Sequence, residues 1–301
     1  MTGRSRPSAF GSWSSRADHA VLAVADVDPP PGTLRVITFN LLSPDQADWD
    51  RRREVIRSGL QKLRPDVVAL QETVWGNGYD QAWDLLGPDY ELARHASRSA
   101  DGVGAVLASR WPFGNIREVD LHVTERVDDL PWAAAVTAEV LLPEPFGLTL
   151  LVHHKPTYQL GYARERELQA VATARFVETQ VTGRDLHVVL LGDFDDTPDS
   201  ACVRFLTGRQ SLDQLSVAYR DAWEAAHPGE LGHTFTPSNP LVRDGEWSQE
   251  LGRRIDYVLV RCGIRGPSLQ IANCHRIFDQ AVDGVWASDH FGVLADLQVP
   301  A

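Results

Sequence analysis

The 301-residue chain has little cysteine, no long apolar run and no excess of positive charge. Its three cysteines, Cys202, Cys262 and Cys274, lack metal-like spacing, and their odd number argues against a disulfide framework. They read as core thiols of a protein in a reducing, cytoplasmic compartment. No apolar stretch approaches membrane-spanning length. The patch from Ala20 to Val27 is broken by Asp26 and has no convincing cleavage site, so a secretory signal is not expected. A formal charge of −12 argues against a nonspecific nucleic-acid binder, which needs a basic surface. It leaves room for a nuclease in which a bound cation and a local basic patch offset the mean.

What is present is globular: 43% hydrophobic and 23% charged residues are enough for a large core. Residues 1 to about 32, rich in Ser, Arg, Ala, Pro and Gly, end in Pro29-Pro30-Pro31-Gly32 and read as a poorly ordered tail, with Phe10 and Trp13 as possible anchors. One folded domain is expected over residues 33–301. Val188 to Leu191 reads as a strand buried on both faces, and it delivers Gly192 and the carboxylates Asp193, Asp195 and Asp196. Asp193 and Asp195, two apart, point the same way if the extended geometry persists. Thr197-Pro198 reads as a cap and first residue of a helix through Val203 and Leu206. A turn rich in Asp and Pro is the plainer alternative.

Leu34 to Asn40 reads as a first strand. Ser43-Pro44-Asp45-Gln46 has the form of a capping box, opening a helix with Trp49, Ile56, Leu60 and Leu63 on one face and Arg51, Arg52, Arg53 and Arg57 largely outside it. Arg64-Pro65 stops that helix. Further strands are expected over Asp66–Glu72, Gly102–Ser109, Trp132–Leu142, Leu148–Val152, Arg253–Val260 and Phe291–Leu297. Helices are expected over Tyr79–Leu86 and Arg164–Val181, the latter burying Leu168, Val171, Ala172, Phe176 and Val177. Many strands and few helices suggest an α/β sandwich of two sheets covered by helices.

Polar residues recur wherever an apolar strand starts or ends: Asn40, Glu72, His153 or His154, Asp193 and Asp195, Asp256, Asp289-His290. Their order, carried by Thr38-Phe39-Asn40, Leu70-Gln71-Glu72, the His153-His154 segment, Gly192-Asp193-Phe194-Asp195, Arg254-Ile255-Asp256-Tyr257 and Ser288-Asp289-His290, resembles the endonuclease/exonuclease/phosphatase superfamily over roughly residues 33–299. The resemblance implies a four-layer, DNase I-like α/β sandwich of two mixed sheets, and metal-dependent hydrolysis of phosphodiesters or phosphomonoesters in one catalytic domain. It implies Glu72 as principal metal ligand, with Asn40 and Asp289, for Mg2+ or alternatively Mn2+. It implies Asp193 as the group that orients or deprotonates the attacking water, Asp256 and His290 as a carboxylate–histidine pair, and one of His153 and His154 near the scissile phosphate. Asp195, a further catalytic candidate, departs from the asparagine usual there: it would bind a second cation or be protonated beside Asp193, ahead of the third alternative, a site that has lost activity and serves as a silent binding or scaffold domain. Lys155 and Tyr158 stand in an expected substrate loop, as does His233-Thr234-Phe235-Thr236-Pro237. The substrate stays open between nucleic acid, for which Arg94, Arg98, Lys155, Arg164, Arg253 and Arg254 are candidate contacts, and a small phosphorylated molecule or lipid head group. No obligate protein partner is expected.

Overall fold

The computed structural model describes Pro29 and residues 31–300, so Phe10, Trp13 and nearly all of the expected tail lie outside the described residues. In chain order the elements are β1 Leu34–Asn40, α1 Trp49–Leu63, β2 Val67–Gly76, β3 Tyr79–Asp80, α2 Gln81–Leu86, β4 Glu91–Arg94, β5 Val103–Ser109, β6 Phe113–Asp120, β7 Ala134–Leu142 and β8 Gly147–Lys155. They continue with α3 Ala163–Val181, β9 His187–Asp193, α4 Ala201–Leu206, β10 Tyr219–Asp221, α5 Ala222–Ala226, α6 Pro240–Arg243, β11 Asp256–Gly263, β12 Gly266–Pro267, β13 Gln270–Ile277 and β14 Gly292–Gln298. One sheet runs β13-β14-β1-β2-β5-β4 and the other β10-β11-β9-β8-β7-β6, with β3 on β2 and β12 on β11. Each sheet has one parallel pair at its centre, β1 with β2 and β8 with β9.

Three apolar cores define four layers. Val36, Ala69, Leu107, Val136, Leu151, Val189, Val258 and Val293 fill the space between the sheets. Ile37, Phe39, Leu70 and Leu294 face the other way, onto Ile56, Leu60 and Leu63 of α1. Leu150, Val152, Val188 and Leu190 likewise face α3 and α4 through Val171, Ala174, Val177 and Phe205. Alternate residues of each central strand thus enter different cores, as a pleat buried on both sides requires.

The expected helix starts lie several residues late in the structure. Ser43 to Gln46 is a turn, closed by the Gln46 N–H donating to the Ser43 carbonyl at 3.1 Å, and α1 is capped by Asp48. Thr197-Pro198 is also a turn, and Ser200 caps α4. Proline in both segments serves a turn as readily as a first helical position. Strand Asp66–Glu72 runs on to Gly76. Strands β4, β6 and β13 carry no sequence signal: β4 has four residues, β6 is largely exposed, and β13 is half polar without regular alternation. In α3, Leu168, Ala172 and Phe176 are only half-buried, whereas Glu165, Arg166, Gln169 and Thr173 are buried. The first half of α3 covers loop carbonyls rather than sheet: Arg166 donates to Gln159 O at 2.7 Å, and Gln169 Nε2 to Leu121 O at 2.8 Å.

Candidate active site

Strand parity decides which side chains meet. On β1, Leu34 and Val36 face the other sheet, so Asn40 at the strand's end does too. On β9 the same holds for Val189 and Leu191, and so for Asp193; on β11, for Val258 and Val260, and so for Asp256. Asn40 Nδ2 accordingly donates across the sandwich to Asp193 Oδ2 at 3.0 Å. Glu72 breaks the rule. Val68 and Leu70 face α1, and an unbroken strand would send Glu72 after them. Instead the register to β5 slips between Gln71 and Thr73, and Glu72 takes φ 57°. This bulge re-aims the carboxylate: Glu72 Oε1 accepts from Asn40 Nδ2 at 3.0 Å and Oε2 from the Ser43 N–H at 3.3 Å.

Asp289 and His290 sit on the loop before β14. Asn239 Nδ2 holds that loop by the Ser288 and Asp289 carbonyls, at 2.7 and 3.1 Å. His290 Nδ1 bonds Asp256 Oδ2 at 3.0 Å, and its ring packs on Phe235 with centroids 4.9 Å apart. A cleft of about 630 Å³ opens over this rim, lined among others by Glu72, Asp193, Asp195, Tyr158, Asp289 and His290. Asn40 and Asp256 support that floor from behind through the bonds above.

His153 and His154 do not line the cleft. His153 faces the space between the sheets, where Nε2 lies 2.7 Å from Gln71 Nε2 and Nδ1 lies 3.1 Å from His95 Nε2. His154 faces α3, with Nδ1 3.0 Å from Thr173 Oγ1 and its ring edge-on to Phe194. Lys155, buried like them, turns to the site instead: Nζ reaches Asp193 Oδ2 at 2.9 Å and Asp195 Oδ2 at 2.5 Å. The strand ends at Asp193, and Asp195 has φ 52°; its carboxylate meets that of Asp193 on Lys155 through a turn, not an extended backbone.

Arg52, which the sequence pattern puts largely outside the helix's buried face, is 2% exposed. Its guanidinium donates to the carbonyls of Leu41 at 2.6 Å, Leu42 at 3.1 Å, Ser43 at 3.3 Å and Ala287 at 3.1 Å. It thereby ties together the two loops flanking Glu72 and Asp289. The signal was present: Arg52 stands three residues after Trp49 and four before Ile56, on the same stripe.

Electrostatics follow from burial among charges. Burial alone would depress the His290 imidazole, but Asp256, Asp193 and Asp289 outweigh it and raise its pKa to about 10. Burial pushes Asp193 up, yet Lys155, His290 and the Asn40 amide hold it below the usual carboxylate range. Asp289 is raised by burial and by Glu72, with His290 opposing. Glu72 and Asp289 offer hard carboxylate oxygens on the cleft, and their mutual repulsion fits a divalent cation between them, while Asn40 turns Nδ2 to Glu72 and Asp193 and its Oδ1 accepts from the Leu42 N–H. Asp193, Asp256 and His290 also present ligand atoms within 4.8 Å of one another, although Nδ1 and Oδ2 of the last two are already engaged in their hydrogen bond.

Two mixed sheets flanked by helices, with carboxylates and an imidazole converging at one rim, define the class: a DNase I-like α/β sandwich. The Endonuclease/Exonuclease/phosphatase family model matches residues 37–290, and the chain belongs to that family, whose members generally hydrolyse phosphate esters. Similar solved structures include D. rerio TDP2 complexed with single-strand DNA product, 20% identical, with 89% of this chain and 99% of that one covered at a TM-score of 0.67. The human Nocturnin catalytic domain with bound sulfate is 16% identical, with 91% and 96% covered at 0.65. An endonuclease/exonuclease/phosphatase from Bacteroides vulgatus is 19% identical, with 89% and 99% covered at 0.65. No curated protein sequence matches the chain significantly.

Proposed function

We propose that the chain is a divalent-metal-dependent phosphoesterase hydrolysing one ester bond of a small phosphorylated molecule by direct attack of water. The observation that carries this reading is the meeting of Glu72, Asp193, Asp289 and His290, drawn from both sheets and the loop before β14, on one cleft. Glu72 and Asp289, with Asn40, would hold Mg2+ or Mn2+, which supplies Lewis acidity and neutralises phosphate charge when bound. Asp193, ionised at neutral pH, is the proton acceptor for a water held against the phosphorus. His290, kept protonated by Asp256, presents its free Nε2–H to the oxygen on which charge develops. No enzyme nucleophile is invoked; Cys202 and Cys274 are buried, with thiols pushed well above their ordinary value by burial.

The surroundings favour a small substrate over a polynucleotide. Of the candidate basic contacts, Arg94 pairs with Asp80, Arg253 with Glu250 at 2.8 Å, Arg254 with Asp221 at 2.7 Å and Lys155 with two aspartates. Arg98 donates to four backbone carbonyls, of His95, Thr73, Gly102 and Ala105. The outer cleft adds Asp45, Asp101, Asp244 and Glu246 beside the aromatic rings of Trp132, Tyr158, Phe235 and Trp247. Such a wall suits one phosphate carrying a flat, apolar or cationic group and repels a phosphate chain. Among the described residues no helix is long and apolar enough to cross a membrane, and three unpaired cysteines favour a reducing compartment. A silent scaffold is the reading that Asp195 favours, since a carboxylate has no amide to donate to a phosphate and this one is engaged by Lys155.

The test is a panel of sphingomyelin, inositol phosphates, nucleotide esters, RNA and plasmid DNA, each with Mg2+ and with Mn2+. Turnover of a small ester, abolished by a chelator and exceeding that of nucleic acid, is expected. Cleavage of plasmid alone would overturn the substrate class, and an inert protein across the panel would favour the scaffold.

A further inference from the structure

Burying an ammonium is costly unless opposite charge and hydrogen bonds match it. Lys155, 2% exposed, has two carboxylates on Nζ: Asp193 at 2.9 Å and Asp195 at 2.5 Å. Asp193 is held on both oxygens, Oδ2 by Asn40 Nδ2 at 3.0 Å and Oδ1 by the Asp195 N–H at 3.1 Å. Asp195 joins the group from a left-handed backbone, φ 52°, a conformation that L-residues rarely adopt. Both aspartates line the cleft, whereas Lys155 does not.

We propose that Lys155 and Asp195 form one charge-matched unit that positions Asp193, in which Lys155 fixes the Asp193 carboxylate and Asp195 keeps the ammonium there. Neither then serves the substrate alone. The charge count makes the unit testable. Removing the ammonium leaves two buried carboxylates side by side; removing the second carboxylate as well returns the wild-type net charge. A loss caused by Lys155→Gln is therefore partly reversed by adding Asp195→Asn, which two independent contacts would not do.

The kinetic half of the inference rests on the phosphoesterase reading; the stability half does not. Wild type, Lys155→Gln, Asp195→Asn, the double variant and Lys155→Arg are compared on bis(p-nitrophenyl) phosphate with Mg2+. Lys155→Gln should lose about 100-fold or more in kcat with KM changed less than about threefold, as loss of a group acting only through Asp193 requires. The double variant should regain about tenfold, and Lys155→Arg, which keeps the charge, should stay within about tenfold of wild type. Losses that multiply, or a loss carried by KM, would overturn the unit and make Lys155 a substrate contact. Thermal unfolding of the same proteins without metal reads the unit with no turnover. The double variant should melt above Lys155→Gln, and the reverse order would overturn the proposal even if every protein were inert. A Lys155→Gln chain that fails to fold while the double variant folds is the same support in stronger form. Failure of both to fold would overturn it.

Discussion

At the scale of single residues, the site is built from groups whose charge is set by burial beside opposite charge. His290 is the clearest case. Its folded pKa, about 10, lies above that of an exposed imidazole, so protonated His290 stabilises the fold. That contribution is complete below about pH 6.5, the unfolded value, and is lost as pH rises toward 10. Metal-free protein should therefore lose stability across this window, and His290→Gln should flatten the loss when melting is followed against pH. His95, His153 and His154 carry the opposite sign. Burial holds all three well below the ordinary imidazole value, so they are neutral in the fold and charge on unfolding. Below about pH 6.5 each adds up to about 1.4 kcal/mol of destabilisation per pH unit. Acid melting should accordingly steepen between pH 6 and pH 4, and a variant with two of the three replaced by Gln should show a shallower slope. An unchanged slope would contradict the burial of neutral rings.

At the scale of elements, the strand ends explain what was legible in the sequence and what was not. Asn40, Asp193 and Asp256 follow from parity: each stands an even number of residues from apolar neighbours that fill the space between the sheets. The same arithmetic misdirects Glu72, because a one-residue bulge has no sequence signature and reverses every facing beyond it. The choice between His153 and His154 failed for a different reason. Both face packed interiors, one between the sheets and one under α3, and β8 brings neither to the rim. Lys155 is the residue that continues the inward parity of Leu151 and His153. Two predictions belong here. Glu72→Gly and Glu72→Ala should both abolish activity, while the glycine variant melts above the alanine variant by about 1 kcal/mol, because only glycine takes φ 57° without strain. At Gly192, with φ 151°, a Cβ would come within 2.0 Å of the His154 carbonyl oxygen. Gly192→Ala should therefore force β8 and β9 apart and destabilise the protein by about 3 kcal/mol or more in denaturant titrations.

At the scale of the whole molecule, the two sheets pack face to face, each with a parallel pair at its centre, and the cleft lies where the ends of β1, β2, β9 and β11 come together. No single sheet carries the chemistry. The overall negative charge and the pairing of Arg253 and Arg254 with carboxylates fit the proposed reading, in which a bound cation rather than a basic surface would meet the phosphate. The most direct measurement of this account is kcat/KM for bis(p-nitrophenyl) phosphate with Mg2+, for wild type beside Glu72→Gln, Asp193→Asn and His290→Gln. One residue comes from the first sheet, one from the second and one from the connecting loop. Each variant should fall by about 100-fold or more, with its melting curve still cooperative. Variants that turn over at the wild-type rate, or a wild type that is inert with both Mg2+ and Mn2+, would contradict a hydrolytic centre shared between the sheets.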